Sequence, residues 1–95
     1  MNSEAVSDLA CFAVDVATDS ETEEDADHVS ELLIRVEPFL TDKAMIGIGE
    51  SINWFILCHE DPQHDDVIFI WRDFLNMWIT LMHKRNLWIH THASE

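Results

Sequence analysis

The densest run of chemically capable side chains is Cys58-His-Glu-Asp-Pro-Gln-His-Asp-Asp66. His59, Glu60, Asp61, His64, Asp65 and Asp66 offer nitrogen and oxygen donors, with the Cys58 thiol beside them. Zinc sites, however, place paired ligands at fixed spacings on defined elements, as in HExxH, and this run matches none of those patterns. Histidines and acids around a proline are also what a solvated turn contains, so no metal site is assigned. His90-Thr-His92 reads the same way, as part of an exposed tail.

A nucleophile and base could be drawn from Cys58 and His59, or from Cys11 and one of the histidines. Sequence neighbours do not face each other on a helix, and nothing in the pattern supplies a third, orienting group. Ile46-Gly-Ile-Gly-Glu50 lacks both the GK[ST] ending and the preceding strand of a phosphate loop. The residues point away from catalysis and imply no cofactor.

Charge is the stronger signal. Nineteen acids face five bases, a formal net charge of −14. Seventeen of the acids lie before Val67, against only two bases there, Arg35 and Lys43. Such a chain repels nucleic acid and anionic membrane and attracts basic surfaces, at rates that fall with salt. The plainer reading is that the charge keeps a small protein soluble.

The elements that must position these groups read as helices. Ser3 is placed as the cap of a helix to about Ala17, with Val6, Leu9, Ala13 and Val16 on its inner face and Phe12 widening it. Thr18 to Asp27 reads first as an acidic linker and then as a helix N-terminus, with Ser20 to Glu23 spelling a capping box. Val29, Leu32, Leu33 and Val36 mark a second helix, which Pro38 ends near Glu37; Phe39 and Leu40 then fill a corner.

Thr41 is placed as the cap of a third helix with Met45, Ile48, Ile52, Phe55 and Ile56 inward. Gly47 and Gly49 inside it either allow close helix packing or split it in two. Asp65 or Asp66 is placed as the cap of the fourth helix, and Lys84 and Arg85 sit at its C-terminal end.

The fourth helix, Val67–Met82, is the most apolar. Ile68, Trp71, Leu75, Trp78 and Met82 form one row, and Ile70, Phe74, Met77 and Leu81 a second. Arg72, Asn76, Thr80 and His83 form a narrow polar stripe with Asp73 beside it. Those charges and the length of the segment argue against a membrane span. Residues 87–95 read as a tail whose Trp88 and Ile89 fold back.

At 95 residues and 47 % hydrophobic, the chain is expected to be one domain over residues 1–95 with a modest core. Two prolines and two glycines disfavour an all-β fold. Cys11 and Cys58 form no CxxC, and no basic segment precedes an apolar one at the start, as expected of a cytoplasmic protein with reduced thiols.

The expected fold is all-α: a small four-helix bundle-like domain with a very hydrophobic C-terminal helix. The wide apolar girth of that helix suggests a homodimer through Ile68, Trp71, Phe74, Leu75, Trp78, Met82 and Trp88, with core packing as the alternative.

The expected function is non-catalytic binding of a basic, nucleic-acid-binding protein through Asp15, Asp19, Glu21, Glu23, Glu24, Asp25, Asp27 and Glu31, extended by Glu60, Asp61, Asp65 and Asp66. Regularly placed carboxylates would occupy sites meant for phosphates. Small anti-restriction, anti-CRISPR and immunity proteins of phages and mobile elements work in this general way, an analogy of composition. The alternatives are a structural or regulatory helical dimer that binds through an apolar groove, and a small metal-binding protein using the His59–Asp66 run.

Overall fold

Strong 3.6-residue periodicity in the sequence becomes helix throughout the computed structural model, which describes residues 2–58 and 65–88. The described residues form helices α1 (Ser3–Ser20), α2 (Glu23–Val36), α3 (Asp42–Cys58) and α4 (Asp65–Lys84), with a 3-10 turn, Glu37–Phe39, between α2 and α3. They contain no strand, and the all-α expectation holds. No helix among them is long and apolar enough to cross a membrane.

The first helix starts one residue earlier than expected from its cap. Asn2, not Ser3, is the N-cap, its side-chain oxygen accepting from the Glu4 amide at 2.8 Å. Asn and Ser cap about equally well, so composition alone does not choose between neighbours. The helix also runs on to Ser20, leaving Glu21 in the left-handed region at φ 55°. Thr18 and Ser20 donate their hydroxyls back to the carbonyls of Val14 and Ala17, both at 2.9 Å.

Ser20 is thereby spent inside α1, and the cap of α2 moves two residues on. Thr22 accepts from the Asp25 amide at 3.3 Å. Glu23, Glu24 and Asp25 fill the first turn of α2, where the helix dipole favours anions. The acidic stretch is therefore helix on both sides of a two-residue turn, Glu21-Thr22, rather than a linker.

Pro38 ends α2 as expected, through the 3-10 turn that carries it. Leu40 is buried, but Phe39 is exposed and does not fill the corner. Thr41 caps α3, accepting from the Ala44 amide at 3.1 Å. The Thr41 amide in turn donates to the Ser7 hydroxyl at 3.1 Å, which ties α1 to the start of α3. Ser7 is buried, and this pairing offsets the cost of placing its hydroxyl there.

All five expected inward residues of α3 are buried, and the helix is continuous through Gly47 and Gly49. A Cβ at Gly47 would meet nothing within 4 Å, so close packing is not the reason for that glycine. Asp65 and Asp66 both lie inside the first turn of α4, so its cap precedes them and lies outside the described residues.

The two central helix pairings are shared: α1 and α4 each pack against both α2 and α3. One core cluster draws residues from all four helices. Its centre is aromatic, with Trp71 edge-on to Phe55 and Phe74, and Phe74 stacked on Trp78 at 5.1 Å between centroids.

The far end of α4 closes in a Schellman arrangement. The Leu87 amide donates to the Met82 carbonyl and the Asn86 amide to that of His83, with Asn86 at φ 61°. Asparagine tolerates this left-handed position better than most residues. Arg85, one residue before it, donates to the Leu40 carbonyl at 2.9 Å, to Asp42 Oδ1 at 3.2 Å, and to both the carbonyl and the carboxylate of Glu37.

Candidate protein-binding surface

The seven residues weighed as a dimer face or a core divide unequally. Ile68, Trp71, Phe74, Leu75, Trp78 and Met82 are buried within the chain itself, so the core alternative describes them. Trp88 is exposed and lies over His83, 3.9 Å between ring centroids. Ile89 lies outside the described residues. The polar stripe Arg72, Asn76, Thr80 and His83 is exposed, together with Asp73.

The first helix is rotated from the expected face: Val6 is buried as expected and Ala13 is half-buried, but Leu9, Phe12 and Val16 are not buried. Val6, Ala10, Val14 and Ala17 point inward, whereas Leu9, Phe12 and Val16 are 68 %, 65 % and 48 % exposed. Both rows have helical spacing. The buried one is smaller in side-chain bulk and lies beside Ser7, whose hydroxyl joins the α3 cap. Three bulky apolar side chains are left in a line on the outside. Leu32 and Phe39 add further apolar exposure on α2 and the turn that follows it.

Beside that apolar row runs an acidic one. Glu4, Asp8, Asp15 and Asp19 are all exposed, at positions i, i+4, i+11 and i+15 of the same helix. At 100° per residue the two rows lie about a quarter turn apart, and the acidic row extends roughly 22 Å along the helix. No Lys or Arg occurs anywhere in α1.

The acidic row borders a groove between α1 and α3. At one end Glu4, Asp8 and Cys11 face Lys43 and Gly47; at the other, Asp15, Asp19 and Glu21 face Ser51, Trp54 and Cys58. Trp54 is exposed there, its ring available to a cation. Cys11 is half-buried, and burial first, then the carboxylates of Asp15 and Asp8, push its thiol above its ordinary pKa. A thiol held protonated is a poor nucleophile.

The acids proposed from sequence thus fall into separate groups. Asp15, Asp19 and Glu21 gather at the α1–α3 groove. Glu23, Glu24 and Asp25 form the first turn of α2. Asp27 and Glu31 instead border a second groove, between α2 and α4, opposite Phe69, Asp73 and Met77. Ser30 lies in that groove with its hydroxyl buried and unpartnered. Asp66 is exposed in the first turn of α4.

Glu60 and Asp61 lie outside the described residues, as do His59, His64, His90 and His92, and with them the metal alternative. Among the described residues no three His, Cys, Asp or Glu side chains gather at metal-binding distance. Glu4, Asp8 and Asp73 join the candidate surface without having been chosen from sequence. For the first two, the four-residue spacing to each other and the eleven-residue spacing to Asp15 and Asp19 was the available signal.

The fold and surface define a small acidic all-α protein with apolar side chains displayed among its carboxylates. The chain matches no protein-family model, no curated protein and no solved structure.

Proposed function

We propose that this chain is a non-catalytic binding module that regulates or inhibits a basic, nucleic-acid-binding protein in the cytoplasm. The four helices act as a bundle-like scaffold for carboxylates that occupy the partner's phosphate-binding positions. The observation that carries this reading is the row Glu4, Asp8, Asp15 and Asp19, set on a helix with no base to neutralise it. Helical backbone holds these charges in a repeating array, which a mobile acidic tail would not.

Affinity capture from the native host's lysate, washed in parallel at low and high salt, tests the reading. Retention of a basic nucleic-acid-binding protein at low salt, its release at high salt, and competition by DNA or RNA are the expected results. A captured partner that ignores both salt and nucleic acid would refute mimicry.

A second reading is a regulatory helical dimer that meets its partner through an apolar groove. The exposed Phe69 and Met77 at the α2–α4 groove favour it. Groove binding of that kind changes little with salt, which separates the two.

A further inference from the structure

We infer that the outer face of α1 is a docking site for a cationic amphipathic helix of the partner. The inference rests on the reading of this chain as a binder of basic proteins, and assigns that binding to one face and one kind of ligand. Leu9, Phe12 and Val16 line up at i, i+3 and i+7, which is the spacing that an apolar helix face presents to another. An aromatic side chain in the middle of such a row is the usual anchor of an interface.

The acidic row decides the occupant. A helix laid along Leu9, Phe12 and Val16 would carry its own flanking residues over Asp8 and Asp15, and Lys or Arg there would meet carboxylates. A second copy of this chain answers the charge poorly. It brings another −14, and its own α1 has no base to set against the acids. An anionic membrane or nucleic acid would be repelled outright. A cationic helix with its own apolar row satisfies both stripes at once.

The test uses the full chain and three synthetic peptides of equal length. The first is built of Leu and Lys with helical amphipathic spacing; the second has the same composition scrambled; the third replaces Lys by Glu in the first. Titration calorimetry should show the first peptide binding about tenfold or more tightly than the second, and the third not at all. The double variant Leu9→Ser/Phe12→Ser changes only exposed side chains. It should weaken the first peptide by about tenfold or more with an unchanged far-UV circular dichroism spectrum, whereas Phe69→Ser/Met77→Ser on the other groove should leave it unaffected.

Equal binding of the ordered and scrambled peptides would overturn the docking site while leaving an acidic binding module standing. Binding of neither cationic peptide would overturn both. Loss of binding in Phe69→Ser/Met77→Ser but not in Leu9→Ser/Phe12→Ser would move the site to the α2–α4 groove. A free dimer in sedimentation that Leu9→Ser/Phe12→Ser dissociates would show that a second copy covers the face, and would also overturn the inference.

Discussion

The Trp78 indole nitrogen donates a 3.0 Å hydrogen bond to the backbone carbonyl of Met45, joining α4 to α3 between two fully buried residues. Trp71, two turns earlier on α4 and equally buried, has an indole nitrogen with no partner. Tryptophan to phenylalanine removes similar ring volume at both positions, so the pair contrasts a buried indole donor that is bonded with one that is not. Trp78→Phe should destabilise by about 1 kcal/mol more than Trp71→Phe, since only the former loses a made bond and strips a carbonyl of its extra donor. Urea unfolding of both variants, with matched m-values, reads the difference.

Arg85 joins the end of α4 to the 3-10 turn and the start of α3 through its contacts with Glu37, Leu40 and Asp42. Arg85→Ala removes a donor from the Leu40 and Glu37 carbonyls, the latter keeping the Leu40 amide, and leaves the Glu37 carboxylate without its cation; it should cost roughly 2–3 kcal/mol. Arg85→Lys should recover less than half of that, because an ammonium cannot span acceptors that the planar guanidinium fork reaches together. Equal stability of the lysine variant and the parent would show that charge alone matters here.

Gly47 is exposed in the interior of α3, and a Cβ added there meets only open space. Gly47→Ala should therefore stabilise by about 1 kcal/mol through helix propensity. For a domain of this size that corresponds to a rise in Tm of roughly 4–8 °C. Because Gly47 lies in the α1–α3 groove and not on the outer row of α1, the same variant should leave binding to that outer row unchanged.

The raised Cys11 pKa makes a kinetic prediction. Its causes, burial and the carboxylates of Asp15 and Asp8, all disfavour the thiolate. At a fixed pH near 8, in a Cys58→Ser background, Cys11 should react with a disulfide reagent more slowly than free cysteine. The pH midpoint of its rate should lie above that of the free amino acid. Asp8→Asn/Asp15→Asn removes the two charges, lowers the pKa and should speed the reaction, leaving the larger effect of burial in place. No acceleration would mean that burial alone sets the reactivity.

Much of the fold is legible in the sequence where one apolar row stands alone. Met45, Ile48, Ile52, Phe55 and Ile56 have no rival on α3, and each is buried. On α4 the polar stripe sets the outward side, and of the two adjacent apolar rows the one from Ile68 to Met82 is buried throughout, whereas Met77 in the other is exposed.

On α1 two rows compete, and bulk favours the wrong one. Leu9, Phe12 and Val16 are individually bulkier than the Val6, Ala10, Val14 and Ala17 row, yet the smaller row is buried. That choice is made by packing partners outside the helix, through contact with α2 and α3 and through Ser7 meeting Thr41. Local pattern carries no trace of either.

The acidic surface is legible in part: Asp15 and Asp19 of the α1 row belong to the expected set, and Glu4 and Asp8 do not. The eye goes to the contiguous acids from Asp19 to Asp27, but contiguous residues spread around a helix. Three of them serve the N-terminus of α2. The ordered row on α1 is assembled instead from acids that stand far apart in the chain, two of them before Ala10.

Both large indoles at the centre of the core belong to α4, the helix translated after the other three. A ribosome that has made α1, α2 and α3 has made most of the acids but not the side chains around which those helices close. The nascent segment carries most of the chain's negative charge and an unfilled interior, so the carboxylates of α1 have no packed support until α4 is made. A stalled or truncated product ending before Trp71 would be an open acidic chain without the indoles around which the core closes.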